Sequence, residues 1–552
     1  MRKQNISEKA LNLLLRRVDW RFLLRNPYPN KSICFTDGAL YKAVEFISKS
    51  LTNIGSADND CELAVAVNPD HKTLNAAWNA LKIGGSCYIE WNVNPFFSPK
   101  TIRNNLEAVG FDQISLYLPK PDPSKSLTGI WIPLEDPRAL AFFISESLKN
   151  KPHNIIRRVG ILLRGFIWRL GSRLFITLPW FISPSLQNYT VCSIACKTSI
   201  NKKSQTTNRT QIQSSGSSEL ICHTGNIIES KMKNLGLTKN SNNVSTMMLT
   251  EGNIIDKKVI LFVFTGAQNE PDFIIKMTRI TESVLEHSME AETLRILEEK
   301  YGYTKRIPKL LFFEHTSHFS MHAETFIGGT SIDKILTKKN YRELAINTTE
   351  VVTDLAITTK NDTTVDSWDR LIKPILSNFV TAFENVLDQN LIQQTINIIK
   401  GLELTYLTCQ HTDFSPWNIL IRPNGELGII DWEGSSLNGL PVVDLVYFMT
   451  FLSVGLEKEF NSTLFRNAYR KMLDESSYTG KVFKECTDYY TSRTGISSSS
   501  IPAFRLLTWL YMINCRYLEL SQYENSQQAK ELLRNIVYVG LWEEELRNSG
   551  NI

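Results

Sequence analysis

The chain has 552 residues, a formal net charge of +5 and 42% hydrophobic residues. This length exceeds what one hydrophobic core usually serves, so we expect a globular protein of roughly two to four domains. The small net charge gives no support for nucleic acid binding. The nine cysteines lack the paired spacing of a zinc site, which favours a reduced, cytoplasmic protein. The first twenty residues lack the apolar core of a signal peptide, and no apolar run predicts a membrane span.

Residues 1–197 alternate short apolar strands with helical segments. This alternation predicts an α/β domain with a parallel, doubly wound sheet. The predicted strands are Ser32–Phe35, Glu62–Val67, Cys87–Glu90, Ile114–Leu118, Gly129–Ile132 and a final strand at Tyr189–Lys197, and the predicted helices are Leu40–Leu51, Lys72–Ile83 and Ser98–Val109.

Two glycine-containing turns in this region carry a resemblance. Leu81–Gly85 ends a predicted helix before a strand, and Gly110-Phe111 ends the next one before a predicted antiparallel pair. This order resembles the later half of a class I methyltransferase. A cofactor-binding turn needs several glycines, whereas Phe35–Gly38 has one. We therefore interpret the domain as a scaffold or partner-binding domain that no longer methylates, with binding of S-adenosylmethionine as the alternative.

A basic segment follows within the same domain. Residues 147–218 contain eleven Lys or Arg and no Asp or Glu, and residues 155–176 have the spacing of an amphipathic helix with arginines on one side. Two interpretations are open: peripheral contact with the inner face of a membrane, where anionic lipid attracts the arginines, or packing on the domain's own sheet with a solvated basic face.

Residues 198–225 are polar and predict a linker. The remainder, 226–552, predicts a second domain of α+β type with two lobes, the first at about 240–327 and the second, mostly helical, at about 328–552. Strands are predicted at Val259–Phe264, Phe273–Met277 and Met321–Ile327.

The second domain centres on the stretch from Cys409 to Leu445. Asn424-Gly425 between apolar runs predicts a hairpin with a two-residue turn, in which both turn residues have positive φ. This hairpin would hold Asn418 and Asp431 at the outer ends of its strands, with Asp413 one short loop away. Phosphoryl transfer needs a carboxylate that accepts the proton of an attacking hydroxyl, and oxygen ligands for Mg²⁺. Asp413 suits the first role, and Asn418 and Asp431 suit the second.

The segments His411–Leu420, Ile430–Glu433 and Pro441–Leu445 resemble three motifs of the aminoglycoside phosphotransferase and choline-kinase-like family of small-molecule kinases. The resemblance implies a two-lobed protein-kinase-like fold and the use of ATP. It also implies that His411 and Asp444 support the catalytic loop without taking part in proton transfer.

The same resemblance assigns residues that bind the nucleotide. Lys276 lies in an apolar strand and would contact ATP phosphates, held by Glu290 on the helix that follows. The backbone near Glu324, Thr325 and Phe326 would meet adenine. The phosphate-covering loop near Thr250–Asn253 has one glycine and is poorly defined by sequence.

These observations predict an ATP- and Mg²⁺-dependent phosphotransferase that acts on a small-molecule hydroxyl. A sugar or lipid-linked saccharide is the preferred acceptor, and the absence of an acidic cluster after Asp444 argues against aminoglycosides. The alternative is an inactive nucleotide-binding scaffold at a membrane surface, although scaffolding does not require all of Asp413, Asn418 and Asp431. A working methyltransferase fused to a kinase is a third hypothesis.

Overall fold

A computed structural model of the chain describes most of its residues. The described residues are 8–24, 26–52, 59–93, 98–123, 126–149, 189–198, 231–236, 244–250, 258–279, 284–316, 319–362, 366–383, 386–457, 462–523 and 531–548.

The chain divides into two compact units. The first comprises Met1–Val284 and Leu310–Phe326, and the second comprises Leu285–Lys309 and Ile327–Ile552. The α/β region and the strands of the first predicted kinase lobe therefore belong to one unit. The predicted linker lies almost wholly outside the described residues, and the predicted domain boundaries stay a prediction.

The first unit is built on one mixed sheet, which has twelve strands among the described residues. In chain order they are β1 (Lys31–Phe35), β2 (Ser50–Thr52), β3 (Cys61–Val67), β4 (Leu81–Val93), β5 (Asp112–Lys120), β6 (Ile130–Pro133), β7 (Tyr189–Cys196), β8 (Ser245–Leu249), β9 (Val259–Phe264), β10 (Phe273–Met277), β11 (Leu310–His315) and β12 (Ser320–Thr325). Across the sheet, the order is β11-β12-β10-β9-β8-β6-β5-β7-β4-β3-β1-β2. The strands β2, β1, β3 and β4 are parallel to their neighbours in that run, and all other pairs are antiparallel.

Helices cover both faces of the parallel part of the sheet. They are α1 (Glu8–Arg17), α2 (Gly38–Ile47), α3 (His71–Ala80) and α4 (Pro99–Val109), and α5 (Pro137–Lys149) follows β6. Side chains alternate along β3: Leu63 and Val65 share a core with α1 and α2, whereas Ala64 and Ala66 share a core with α3 and α4. The predicted alternation of strands and helices is present, and the likeness to a methyltransferase stays a hypothesis.

The sheet runs without a break from the α/β region into the strands of the predicted kinase lobe. Strand β6 pairs with β8 through Ile130 opposite Leu249 and Trp131 opposite Met248. Beyond this pair, the amide of Thr250 donates to the carbonyl of Gly129 at 2.7 Å. The sequence predicted two separate domains here. It did not predict the β6–β8 pair, because strands that pair across more than a hundred residues leave no local sequence pattern.

Strand β4 begins earlier than predicted. The helix expected to reach Ile83 ends at Ala80, and β4 continues through Gly84 and Gly85. A Cβ on Gly85 would lie 2.9 Å from the carbonyl oxygen of Lys82 and 3.0 Å from that of Cys61. Gly85 is therefore needed for close contact between β4 and β3, where the strand register shifts.

The second unit is mostly helical. Its helices are α6 (Val284–Glu299, whose first residue belongs to the first unit), α7 (Ile332–Ile335), α8 (Tyr341–Thr358), α9 (Lys373–Phe383), α10 (Gln389–Lys400), α11 (Val443–Gly455), α12 (Ser462–Leu473), α13 (Tyr478–Thr494), α14 (Ile501–Tyr523) and α15 (Val537–Asn548), and its short strands are β13 (Thr330–Ser331), β14 (Asn361–Asp362), β15 (Tyr406–Gln410), β16 (Ile419–Ile421), β17 (Leu427–Ile429) and β18 (Ser436–Gly439). Strands β8 to β12 followed by this helical unit agree with the predicted α+β kinase-like half.

No described helix is long and apolar enough to span a membrane. The basic segment 155–176 lies outside the described residues.

The predicted hairpin forms with a different turn. Strands β16 and β17 pair with Ile419 opposite Ile429 and Ile421 opposite Leu427. The amide of Gly425 donates to the carbonyl of Arg422 at 2.9 Å, and Gly425 has φ of +83°. The prediction that both Asn424 and Gly425 take positive φ is wrong. The amide of Arg422 donates to the carbonyl of Glu426 at 2.9 Å, so the loop has three residues, 423–425, and of these only the glycine takes the left-handed conformation.

Replacing Gly439 with alanine should destabilise the second unit by about 1–3 kcal/mol, because it overfills a packed contact. A methyl group at this position would lie 2.3 Å from Cβ of Gln410 on the paired strand. The side chain of Gln410 cannot move freely, since its Oε1 accepts from the amide of Leu440 at 2.9 Å. Urea unfolding would measure the effect. Gly401→Ala is the control, because its new methyl group meets nothing closer than 3.5 Å; equal midpoints for the two variants would contradict the prediction.

Candidate active site

The open end of the β16–β17 hairpin brings together the three residues predicted for catalysis and metal binding. The carbonyl of Asn418 accepts from the amide of Ile430 at 3.0 Å, which places Asp431 beside Asn418. The side-chain Nδ2 of Asn418 donates to Oδ2 of Asp413 at 2.9 Å and to the carbonyl of Asp413 at 3.0 Å. The amide oxygen of Asn418 is then the atom that a cation would use.

The carboxylate of Asp413 lies in a polar but poorly hydrated environment. Burial raises its pKa, and so does the negative charge of Asp431. The hydrogen bond from Asn418, together with the polar groups of Trp417 and Tyr447, acts in the opposite direction and stabilises the charged form. Two carboxylates that repel one another beside an amide oxygen form an oxygen-rich site of the kind that suits a hard divalent cation.

Three non-glycine residues in and around this site have left-handed backbone conformations. The φ angles are +73° for Thr412, +66° for Asp431 and +72° for Val442. Such conformations cost of the order of 1–3 kcal/mol each and persist only where surrounding contacts enforce them. They lie immediately before Asp413, at Asp431 itself and just before helix α11, so the strain is concentrated on the backbone that orients the site.

Asp444 and His411 hold this backbone in place. Oδ2 of Asp444 accepts from the amide of His411 at 2.7 Å, and Oδ1 accepts from the amide of Thr412 at 3.1 Å. Nε2 of His411 lies 3.0 Å from the carbonyl oxygen of Ile430, and its ring packs edge to face with Trp432 at 4.7 Å. These contacts join the loop of Asp413 to the segment of Asp431. The supporting roles of His411 and Asp444 in catalysis stay predictions.

The stability of the protein should decrease with rising pH because of Asp444. Burial raises the pKa of this carboxyl to about 7, although the two backbone amides oppose the shift. The unfolded value is about 4. A carboxyl group whose pKa is raised in the folded state stabilises the fold fully below its unfolded pKa. This stabilisation is lost as the pH rises through the folded pKa. Urea midpoints between pH 4.5 and 7.5 should therefore decrease more steeply for the wild type than for Asp444→Asn. Parallel pH dependences would refute this assignment.

On the first unit, Lys276 has a carboxylate partner on the neighbouring strand. Its Nζ lies 3.1 Å from Oε1 of Glu324, and both side chains are buried. Lys276 is opposite His322, whose Nε2 lies 3.4 Å from Oε2 of Glu324. Only the backbone near Glu324 was predicted to bind nucleotide, so the ion pair of its side chain with Lys276 was not predicted. A possible signal was the two-residue spacing of His322 and Glu324, which puts both on one face of β12.

The other residues predicted for nucleotide binding are divided between the two units. Thr325 ends strand β12, and the amide of Phe326 donates to the carbonyl of Asp272 at 3.4 Å. Glu290 is fully buried on α6 in the second unit. Its pairing with Lys276 and the contact of the Glu324–Phe326 backbone with adenine stay predictions. Of the segment Thr250–Asn253, only Thr250 is among the described residues.

Comparison with known proteins finds a family similarity in part of the chain. Residues 262–474 match the phosphotransferase enzyme family, APH. This segment contains Lys276, the loop of Asp413 and Asn418, Asp431 and Asp444. None of the curated proteins compared with this chain matches it significantly.

Several solved structures are similar to this chain. One is the complex of APH(2'')-IIa with gentamicin, at 15% sequence identity and a TM-score of 0.34, over 57% of this chain and 97% of that chain. Another is the aminoglycoside phosphotransferase APH(2'')-Ib bound to ADP, at 16% identity and a TM-score of 0.34, over 57% and 98% of the two chains. A third is a thermostable mutant of APH(4)-Ia in ternary complex with ADP and hygromycin B, at 13% identity and a TM-score of 0.35, over 57% and 98%. The family match and the grouping of Asp413, Asn418 and Asp431 support a small-molecule phosphotransferase.

Proposed function

We propose that this protein transfers the γ-phosphate of ATP to a hydroxyl group of a small molecule in a Mg²⁺-dependent reaction, with a sugar or lipid-linked saccharide as acceptor. The observation that carries the proposal is the grouping of Asp413, Asn418 and Asp431 at one end of a hairpin. The match of residues 262–474 to a phosphotransferase family supports it.

In this proposal, Asp413 orients the acceptor hydroxyl and accepts its proton. The acceptor oxygen forms a bond to the γ-phosphorus as the bond from that phosphorus to the β–γ bridging oxygen breaks, and ADP leaves. The proton on Asp413 then passes to solvent. The raised pKa of Asp413 makes it a better base than an ordinary aspartate, since a weaker acid has a stronger conjugate base.

The donor set fits Mg²⁺. Asp431 offers a carboxylate and Asn418 offers an amide oxygen, which are the hard ligands that this ion prefers. When bound, Mg²⁺ would offset negative charge on the phosphates. Lys276 is proposed to bind ATP phosphates, and its ion pair with Glu324 holds the ammonium group in a fixed position before nucleotide arrives.

The test is transfer of label from [γ-³²P]ATP to a panel of sugars and membrane-extract lipids, with Mg²⁺ and with a chelator. Label should move only with Mg²⁺, and Asp431→Asn should abolish transfer while Glu426→Gln retains it. Glu426 is a matched control because it lies at the exposed tip of the same hairpin. If the protein binds ATP but neither transfers nor hydrolyses it, the inactive scaffold becomes the better hypothesis.

We propose a cytoplasmic location, with peripheral contact of residues 155–176 with the inner face of a membrane. The uninterrupted positive charge of residues 147–218 supports it. Co-sedimentation with vesicles containing anionic lipid, compared with neutral vesicles, would test this contact. Equal recovery with both kinds of vesicle would count against it.

A further inference from the structure

Two aromatic residues lie close to the proposed catalytic carboxylate and have no role in the mechanism above. Trp417 lies in the loop that carries Asp413, directly before Asn418, whose Nδ2 donates to Oδ2 of Asp413 at 2.9 Å. The indole N–H of Trp417 and the phenol O–H of Tyr447 both approach the carboxylate of Asp413 and stabilise its charged form. Their exposure differs sharply. Trp417 is 39% exposed, whereas Tyr447 is 4% exposed. Trp417 therefore presents indole surface to solvent in the same loop as the proposed catalytic carboxylate.

The indole of Trp417 is held in a fixed plane. Its ring packs edge to face with Phe451, with ring centroids 5.2 Å apart. Phe451 in turn packs against Tyr447 at 4.6 Å, and the hydroxyl of Tyr447 lies 3.3 Å from that of Tyr538. Tyr447 and Phe451 are four residues apart on helix α11, so they face the same side. Trp417 is therefore supported by buried rings and presents its remaining surface outward.

The position of Asp413 restricts where an acceptor can lie. A hydroxyl that gives its proton to this carboxylate must come within about 3 Å of it. The rest of the acceptor must then lie against groups that surround Asp413, and Trp417 is an exposed aromatic side chain in the loop of Asp413. A pyranose ring has an apolar face of C–H groups and a rim of hydroxyls. Such a ring can stack on a flat indole while one rim hydroxyl reaches the neighbouring carboxylate.

We propose that the exposed face of Trp417 is the acceptor subsite and that it binds the ring of a neutral sugar by stacking. The inference rests on the proposed phosphotransferase activity and narrows its substrate class. A quaternary ammonium acceptor requires several open aromatic faces around the cation. Tyr447 and Phe451 are buried and cannot supply them. A polyamine acceptor requires carboxylates that are free to bind it, whereas in the proposed reaction Asp413 accepts the proton and Asp431 binds Mg²⁺.

The test uses the full chain with Mg²⁺ and ATP and four defined probes: methyl β-D-glucopyranoside, octyl β-D-glucopyranoside, kanamycin and choline. The two glycosides should be phosphorylated in preference to kanamycin and choline. Trp417→Ala should raise the KM for the glycosides at least tenfold with a smaller change in kcat, and Trp417→Phe should restore most of the affinity. Tyr478→Ala is the control, because Tyr478 is an exposed aromatic residue at the start of α13; its KM should match that of the wild type.

The remaining outcomes separate this inference from the proposed function. Preference for kanamycin or choline, or an unchanged KM in Trp417→Ala, overturns the subsite. If no glycoside accepts phosphate but ATP hydrolysis depends on Asp413, the phosphotransferase stands and the subsite fails. If Asp413-dependent turnover is absent altogether, the proposed function fails. Tryptophan fluorescence then tests the subsite by itself. Quenching by methyl β-D-glucopyranoside that is lost in Trp417→Phe supports the subsite, and absence of quenching in the wild type overturns it.

Discussion

Replacement of Asp413 by asparagine is expected to lower the rate of phosphate transfer by about 10²–10⁴-fold, because an amide cannot accept the proton of the acceptor hydroxyl. Asparagine has nearly the same shape as aspartate. The backbone carbonyl of residue 413 also keeps its hydrogen bond from Asn418. The loop should therefore stay folded, and the loss should appear in the chemical step. Single-turnover measurement with excess enzyme would report that step directly.

The pH profile supplies an independent check on the same residue. Burial and the charge of Asp431 raise the pKa of Asp413. A base works only when ionised, so transfer by the wild type should decrease as the pH falls through this raised value, above the usual range of an aspartate near pH 4. The residual activity of Asp413→Asn should lack this acid limb. Retention of more than a tenth of the wild-type rate, with the limb intact, would show that Asp413 is not the base.

Replacement of Asp19 by alanine should destabilise the first unit by about 3–5 kcal/mol, because it leaves buried positive charges without their carboxylate. Asp19 and Arg21 are fully buried, Arg279 is 1% exposed and Arg16 is 5% exposed. The carboxylate lies 3.1 Å from Nε of Arg16, 3.2 Å from Nε of Arg279 and 3.5 Å from Nη1 of Arg21.

This cluster joins distant parts of the first unit. Arg279 lies two residues after the end of β10, the strand that carries Lys276. Its Nη2 also donates to the carbonyl of Thr250 at 3.1 Å. Arg16 donates to the carbonyl of Thr128 at 3.0 Å, at the end of the chain segment that leads into β6. Loss of Asp19 should therefore loosen the strand that carries Lys276 as well as the N-terminal helix.

Calorimetry should show the unfolding transition of Asp19→Ala about 5–15 °C below that of the wild type. The affinity for ATP should decrease in the same variant. Asp369→Ala is the matched control, since it removes an exposed carboxylate from a surface pair with Lys373 and should change the transition little. A shift no larger than that of the control would show that the cluster does not stabilise this unit.

The sequence by itself determined the local features of the candidate site. Asp413, Asn418 and Asp431 lie within nineteen residues, and the hairpin that connects them follows from two apolar strands around a glycine turn. Such contacts join residues that are close in sequence, so residue spacing alone can predict them. The helix between Ser98 and Gly110 could also be predicted from local sequence. The hydroxyl of Ser98 caps its first turn, and Gly110 takes the left-handed conformation at its end.

Only the tertiary structure decided which distant residues meet. Lys276 pairs with Glu324, 48 positions away, because the register of β10 and β12 puts them on neighbouring strands. Asp19 meets Arg279 across 260 positions, and the β6–β8 pair joins two regions that the sequence predicted to be separate domains. Strand register and the burial of charged side chains depend on the free energy of the whole fold. Because many pairings satisfy the same local pattern, no short stretch of sequence can specify them.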